Sequence, residues 1–167
     1  WASNFNNGLP PGSLLLDNAR VNDGKVRLIP LFDYKVGTFR LAPFAVPSVV
    51  TTFDIEADIY TRRMSAESTP GDGWSFALGN LPTTVGFGEE GPTNFTGLLV
   101  SFDYLANPDE PGKEVSVRWQ GALVGSIPYD SFVDGGTAVV RFRVRPGGLL
   151  DVWHGGIQLF DGLALPG

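Results

Sequence analysis

The sequence has no cysteine and only one histidine among its 167 residues. The missing cysteine excludes disulfide bonds and a thiolate site, although it does not define the cellular compartment. Around the single histidine, His154, no motif supplies the partners of a zinc or Ser-His-Asp site, so we interpret it as a residue of a hairpin turn. No apolar run approaches the roughly 18 residues of a membrane-spanning helix, and we expect no membrane insertion.

Positive charge is also scarce. Twelve Lys and Arg residues stand against 18 Asp and Glu residues, which gives a net charge of −6. The only clusters of basic residues are Arg62-Arg63 and the alternating Arg141, Arg143 and Arg145. A nucleic-acid-binding protein needs a basic stripe to neutralise phosphates, so DNA and RNA are excluded as expected partners.

Helical patterns are absent as well, since no window of ten residues keeps an apolar 3.6-residue period without Gly or Pro. The chain instead has 22 Gly, 13 Pro and 43% apolar residues, which indicates one globular, turn-rich, all-β domain over residues 1–167. About a dozen short strands predict a sandwich or jelly roll of two antiparallel sheets. We predict strands over 13–20, 25–31, 36–42, 49–60, 73–78, 97–104, 114–119, 122–128, 137–145, 148–153 and 156–160.

Four short segments predict turns between these strands: Asn22-Asp23-Gly24, Gln120-Gly121, Pro146-Gly147 and Gly155-Gly156. The segment 49–60 alternates, with Phe53, Ile55 and Ile59 on one face and Asp54, Glu56 and Asp58 on the other. The acidic face permits an enzymatic alternative. Glycoside hydrolases use paired carboxylates, and residues two apart on a strand lie about 6.6 Å apart, at the low edge of the inverting range.

Three motifs occur in order along the chain. They are "GDGWSFAL" at 71–78, "GFGEEG" at 86–91 and "VSFDYLANPDE" at 100–110, the last followed by "EVSVRW" at 114–119. Together they resemble the L-type (legume-lectin-like, concanavalin-A-like) sugar-binding domains over about residues 13–160. The resemblance implies a concanavalin-A-like jelly roll that binds a glycan or polysaccharide without catalysis. It also implies a secreted or cell-surface location in a bacterium.

The resemblance implies specific site residues. Saccharide contacts are expected from Asp72, Gly73, Gly88, Glu89, Gly91, Tyr104 and Asn107. Calcium ligands are expected from Asp103, the Leu105 carbonyl, Asn107 and Asp109. These oxygen groups suit a hard cation, and a carboxylate such as Asp72 can accept two sugar hydroxyls at once. We expect Trp74 to point into the core instead.

An alternative interpretation of the calcium motif remains open. Asp103, Asn107 and Pro108 also suit an Asx-type turn that binds no metal. The family's second metal site uses a Glu and a His where this chain has Ser101 and approximately Glu114, so we expect that site to be absent.

The chain also begins at Trp1 and stops at Gly167, before the family's last strand. We therefore expect a processed piece of a longer protein. A partner chain that supplies the missing strand is the second expectation, and it would make the domain a self-associating or adhesive assembly subunit.

Overall fold

The computed structural model describes residues 4–29, 37–42, 51–63, 65, 71–81, 91–92, 95–105 and 112–167. Within these ranges the chain forms only strands, turns and irregular segments, which confirms the all-β prediction. The twelve strands are β1 (Leu14–Asp17), β2 (Arg20–Asn22), β3 (Lys25–Arg27), β4 (Gly37–Arg40), β5 (Phe53–Thr61), β6 (Gly73–Asn80), β7 (Thr96–Asp103), β8 (Glu114–Trp119), β9 (Ala122–Pro128), β10 (Gly136–Arg145), β11 (Leu149–His154) and β12 (Ile157–Ala164).

Two four-stranded antiparallel sheets form the body of the domain. We call the sheet of order β6-β7-β8-β9 the front sheet and the sheet of order β12-β11-β10-β5 the back sheet. Two further antiparallel pairs are separate two-stranded sheets: the hairpin of β2 with β3, and β1 with β4. No helix in the described part of the chain is long and apolar enough to span a membrane.

The core lies between the two sheets. Alternate residues of β7 and β8 point inward from the front sheet, and alternate residues of β10 and β11 point inward from the back sheet. The rings of Phe76 and Phe142 stack across the gap at 4.3 Å, and Phe102 meets Phe142 edge-on at 6.2 Å. Offset-stacked and edge-on aromatic pairs add to the burial of apolar area, so these rings hold the two sheets together.

The predicted turns occur where glycine permits a positive φ. Asp23-Gly24 joins β2 to β3 and Gln120-Gly121 joins β8 to β9, with φ between 49° and 84° at all four residues. Positive φ at both central residues fits the right-handed twist of a two-residue hairpin. Gly155-Gly156 makes the same kind of connection between β11 and β12.

One predicted strand is wrong. The segment 13–20 is not continuous, because β1 ends at Asp17 and β2 begins at Arg20. Asp17 has a φ of 56°, and the Ala19 N–H donates to the Leu16 carbonyl in a turn. The two halves consequently pair with different strands, β1 with β4 and β2 with β3.

Candidate functional site

Asp72 and Asp103 lie at the same end of the front sheet. Gly73 begins β6 and is paired with Asp103, the last residue of β7. The Tyr104 N–H continues the pairing by donating to the Asp72 carbonyl at 2.6 Å. The register therefore brings the first and third sequence motifs together, as the resemblance implies.

Gly73 allows this close pairing. A Cβ atom at this position would lie 1.9 Å from the Phe102 carbonyl oxygen, so any side chain would push β6 away from β7. The preceding residue, Asp72, is exposed to solvent. A carboxylate is thus presented to solvent from a backbone that the sheet holds rigidly, which is the arrangement a positioned hydrogen-bond acceptor requires.

Asp103 forms the turn that follows β7. Its Oδ1 accepts a hydrogen bond of 2.8 Å from the Leu105 N–H, which is an Asx turn. This bond fits the Asx-turn alternative and is compatible with a further role for the carboxylate. Two other expected calcium ligands, Asn107 and Asp109, lie outside the described residues. Among the residues that the structure describes, no group of three or more His, Cys, Asp or Glu side chains could hold a metal.

Tyr104 does not offer an exposed ring, contrary to its predicted role as a saccharide contact. Its side chain is buried, with 4% of the residue exposed, and its hydroxyl accepts a 2.5 Å hydrogen bond from the Trp74 Nε1–H. Burial raises the pKa of the Tyr104 hydroxyl. Trp74 stacks on Phe102 at 4.3 Å and packs against the core, as predicted. Tyr104 is therefore a core residue, and its backbone N–H binds the Asp72 carbonyl.

The glycine-rich motif is described only at its end. Gly91 has a φ of 75°, and a Cβ atom there would lie 2.4 Å from the Leu99 Cδ1. Leu99 and the buried Ser101 alternate with the core-facing residues of β7, so Gly91 lies on the outer face of the front sheet. Gly88 and Glu89 lie outside the described residues.

The positions of the family's second metal site have other roles in this chain. Ser101 is buried at 8% exposure, and Glu114 Oε2 accepts a 2.6 Å hydrogen bond from the Ser126 hydroxyl on the neighbouring strand β9. The resemblance would need a carboxylate at position 101 and an imidazole at position 114. The chain has Ser101 and Glu114 there instead, and we keep the prediction that this second site is absent.

The acidic residues of β5 lie on the outer face of the back sheet. Asp54 is bound by the Arg141 guanidinium through Nε at 2.7 Å and through Nη2. This hydrogen bonding lowers the pKa of Asp54. A glycosidase acid needs a raised pKa, so the ion pair removes Asp54 as proton donor in the hydrolase alternative.

His154 is not a turn residue. It ends β11 and is 3% exposed, with its ring against Phe102 and its Nδ1 3.2 Å from the Tyr129 hydroxyl. Burial lowers the pKa of His154. The turn begins one residue later, at Gly155, so the strand is shifted by one residue from the predicted 148–153 without a change in length.

An ionic cluster around Asp151 was not predicted. Asp151 is fully buried and accepts hydrogen bonds from Arg143 Nε and Nη2 (3.0 and 2.8 Å), Arg145 Nη2 (2.7 Å) and the Gly162 N–H (2.7 Å). Burial by itself would raise the pKa of Asp151, but the bonds from Arg143, Gly162 and Arg145 outweigh it and lower the pKa. The alternation of Arg141, Arg143 and Arg145 was the available signal, because period two places all three on one sheet face.

No protein-family model and no curated protein matches this chain. Among solved structures, it is similar to the exoplasmic/lumenal domain of VIP36 in its Ca²⁺- and mannose-bound form, with a TM-score of 0.66 and 16% identity. The similarity covers 87% of this chain and 64% of the VIP36 chain. It shows that the fold is the legume-lectin-like jelly roll predicted from the three motifs.

Proposed function

We propose that this domain is a non-catalytic saccharide-binding module whose site lies at the Asp72–Asp103 end of the front sheet. The observation that carries the proposal is the pairing of Gly73 with Asp103, which puts the exposed Asp72 carboxylate beside the turn after β7. Asp72 accepts hydrogen bonds from sugar hydroxyls, and the Gly73 backbone, Asn107 and the segment 86–91 (Gly88, Glu89 and Gly91) complete the contacts. The legume-lectin-like fold and the mannose bound to VIP36 support this ligand class.

The proposal includes calcium. Asp103, the Leu105 carbonyl, Asn107 and Asp109 are the residues that would hold the ion, and oxygen ligands of this kind suit it. The Asx turn at Asp103 supports this role because it already orients the carboxylate and the Leu105 backbone. We further propose a secreted or cell-surface location, where free calcium and glycans are both present.

The saccharide site is tested with a glycan array and with calorimetry on the glycans that bind. Asp72→Ala is expected to abolish the binding of those glycans that the front-sheet site recognises. Asp161→Ala is the matched control, because it removes an exposed carboxylate from the back sheet. Binding that is unchanged in Asp72→Ala would refute the site, and release of reducing ends that Glu56→Gln abolishes would support the hydrolase instead.

The calcium site is tested separately by titrating calcium into chelator-treated protein. Asp103→Asn keeps an oxygen for the Leu105 N–H and therefore preserves the turn, but it removes the charge. We expect this variant to fold normally and to lose calcium binding. Equal calcium affinity in the variant and the original protein would show that Asp103 only makes a turn.

A further inference from the structure

A recess lies on the outer face of the back sheet, near the turn between β11 and β12. Its walls are the sheet surface around Trp153, Val139 and Thr137 and the segment that contains Tyr129 and Val133. Val139 is 44% exposed and Val133 is 47% exposed. The recess has a volume of about 640 Å³, which is within the range of small-molecule sites.

Trp153 gives the recess an aromatic surface. It lies opposite Arg141 in the pairing of β10 with β11, and the guanidinium groups of Arg141 and Arg143 lie 5.4 and 5.0 Å from the centre of its ring. These cation–π contacts, together with the salt bridges of both arginines to Asp54 and Asp151, hold the tryptophan side chain in place. A fixed aromatic side chain at the rim of an open recess is a platform for an apolar ligand face.

The charges around the recess exclude charged ligands. Asp130 is paired with Lys113 at 2.6 Å, and Arg141 is paired with Asp54. Glu56 of β5 is paired with Arg141 of β10 in the sheet register, is exposed and lines the recess. An anion would meet the Glu56 and Asp130 carboxylates, and a cation would be repelled by the Arg141 and Arg143 guanidinium groups beside the Trp153 ring. A neutral ligand with hydroxyl groups meets neither penalty.

We propose that this recess binds a neutral saccharide, with one sugar face on Trp153 and sugar hydroxyls donating to Glu56. Pyranose rings combine an apolar C–H face with hydroxyl donors, which matches the Trp153 ring on β11 and the Glu56 carboxylate on β5, with Arg141 of β10 between them. The recess lies on the other sheet from Asp72, and its ligand does not depend on calcium or on the Asp72 site. The domain is then bivalent and can hold two glycan chains or two parts of one chain.

The recess is tested by NMR on ¹⁵N-labelled protein, which resolves the indole N–H signals of the tryptophans. The signal of Trp153 is assigned by its loss in Trp153→Phe. Linear trisaccharides of glucose, mannose, xylose and galactose are then titrated to millimolar concentration. We expect at least one of them to move the Trp153 signal in a saturable way, equally in the original protein and in Asp72→Ala.

Val139→Arg fills the recess at an exposed position that the core does not use, so the variant is expected to fold. It should weaken the affinity obtained from the saturable shift about tenfold or more, whereas Asp161→Ala, at an exposed position outside the recess lining, should leave it unchanged. The proposal is overturned if none of the four trisaccharides moves the Trp153 signal, if the shift disappears in Asp72→Ala, or if Val139→Arg leaves it unchanged. Loss of glycan-array binding in Asp72→Ala with a silent Trp153 signal would leave the front-sheet site intact and remove only this one.

Discussion

Replacing Asp151 by asparagine tests the unpredicted ionic cluster of the back sheet. The substitution keeps the size of the side chain and removes the charge that Arg143, Arg145 and the Gly162 N–H share. Asp161→Asn is the matched control, because Asp161 also contacts Arg145, at 3.2 Å, but its side chain is 76% exposed.

The magnitude follows from the burial of Asp151. Removing one partner of a buried pair costs about 3–5 kcal/mol, but both arginine side chains are 37% exposed and recover part of this from water. We therefore expect Asp151→Asn to lower the free energy of unfolding at pH 7 by about 2–3 kcal/mol. The exposed control should change it by less than about 0.5 kcal/mol.

The pH dependence has a defined sign. The pKa of Asp151 is lower in the folded state, so the unfolded chain binds more protons as the pH falls below the ordinary Asp pKa of about 4. The stabilisation by Asp151 is therefore complete above that pH and is lost as the pH falls through the folded-state pKa. The difference between the original protein and Asp151→Asn should shrink in the same range.

Urea unfolding followed by tryptophan fluorescence measures both effects, at pH 7 and at several values between pH 5 and pH 2. A loss at pH 7 no larger than that of Asp161→Asn would refute the cluster as a stabilising element. A loss that stays constant down to the lowest pH would refute its electrostatic origin.

Three further outcomes test the packing behind the Asp72 site. Tyr104→Phe removes the acceptor of the Trp74 indole and should cost about 1–3 kcal/mol in the same urea experiment, and an unchanged midpoint would contradict the buried hydrogen bond. Gly73→Ala places a Cβ against the Phe102 carbonyl and should lower the melting temperature and saccharide affinity, whereas Gly71→Ala, which has open space, should change neither. Burial lowers the pKa of His154, so below about pH 6.5 the unfolded chain binds more protons than the folded chain, and the free energy of unfolding should decrease as the pH decreases. His154→Gln should remove this dependence on pH. An unchanged dependence in the variant would show that it has another origin.

Much of the strand pattern was predictable because turns and alternation are local. Gly121 and Gly156 mark hairpins whose positive φ glycine adopts easily, and β8 and β9 have the bounds that the sequence predicts. The break after Asp17 was missed, although Asp and Asn tolerate a positive φ and the pair Asp17-Asn18 is a turn signal inside the apolar segment.

The candidate site was predictable in its residue types but not in its exposure. The motif around Asp72 and Asp103 indicated which residues share one sheet end, and the register agrees. Tyr104 was assigned to the ligand because its ring could offer an apolar surface to a pyranose face. The segment after β9 covers it instead, with Phe132 edge-on at 5.3 Å.

The sequence by itself determined the all-β class, most turns and the jelly-roll resemblance, since each depends on residues close together in the chain. Only the tertiary structure decided that Asp54 is neutralised by Arg141, 87 residues away, and that His154 is buried against Phe102. Such pairings depend on which sheet faces meet and on the register between strands. Period-two alternation places a side chain on a face, but it does not say what lies opposite.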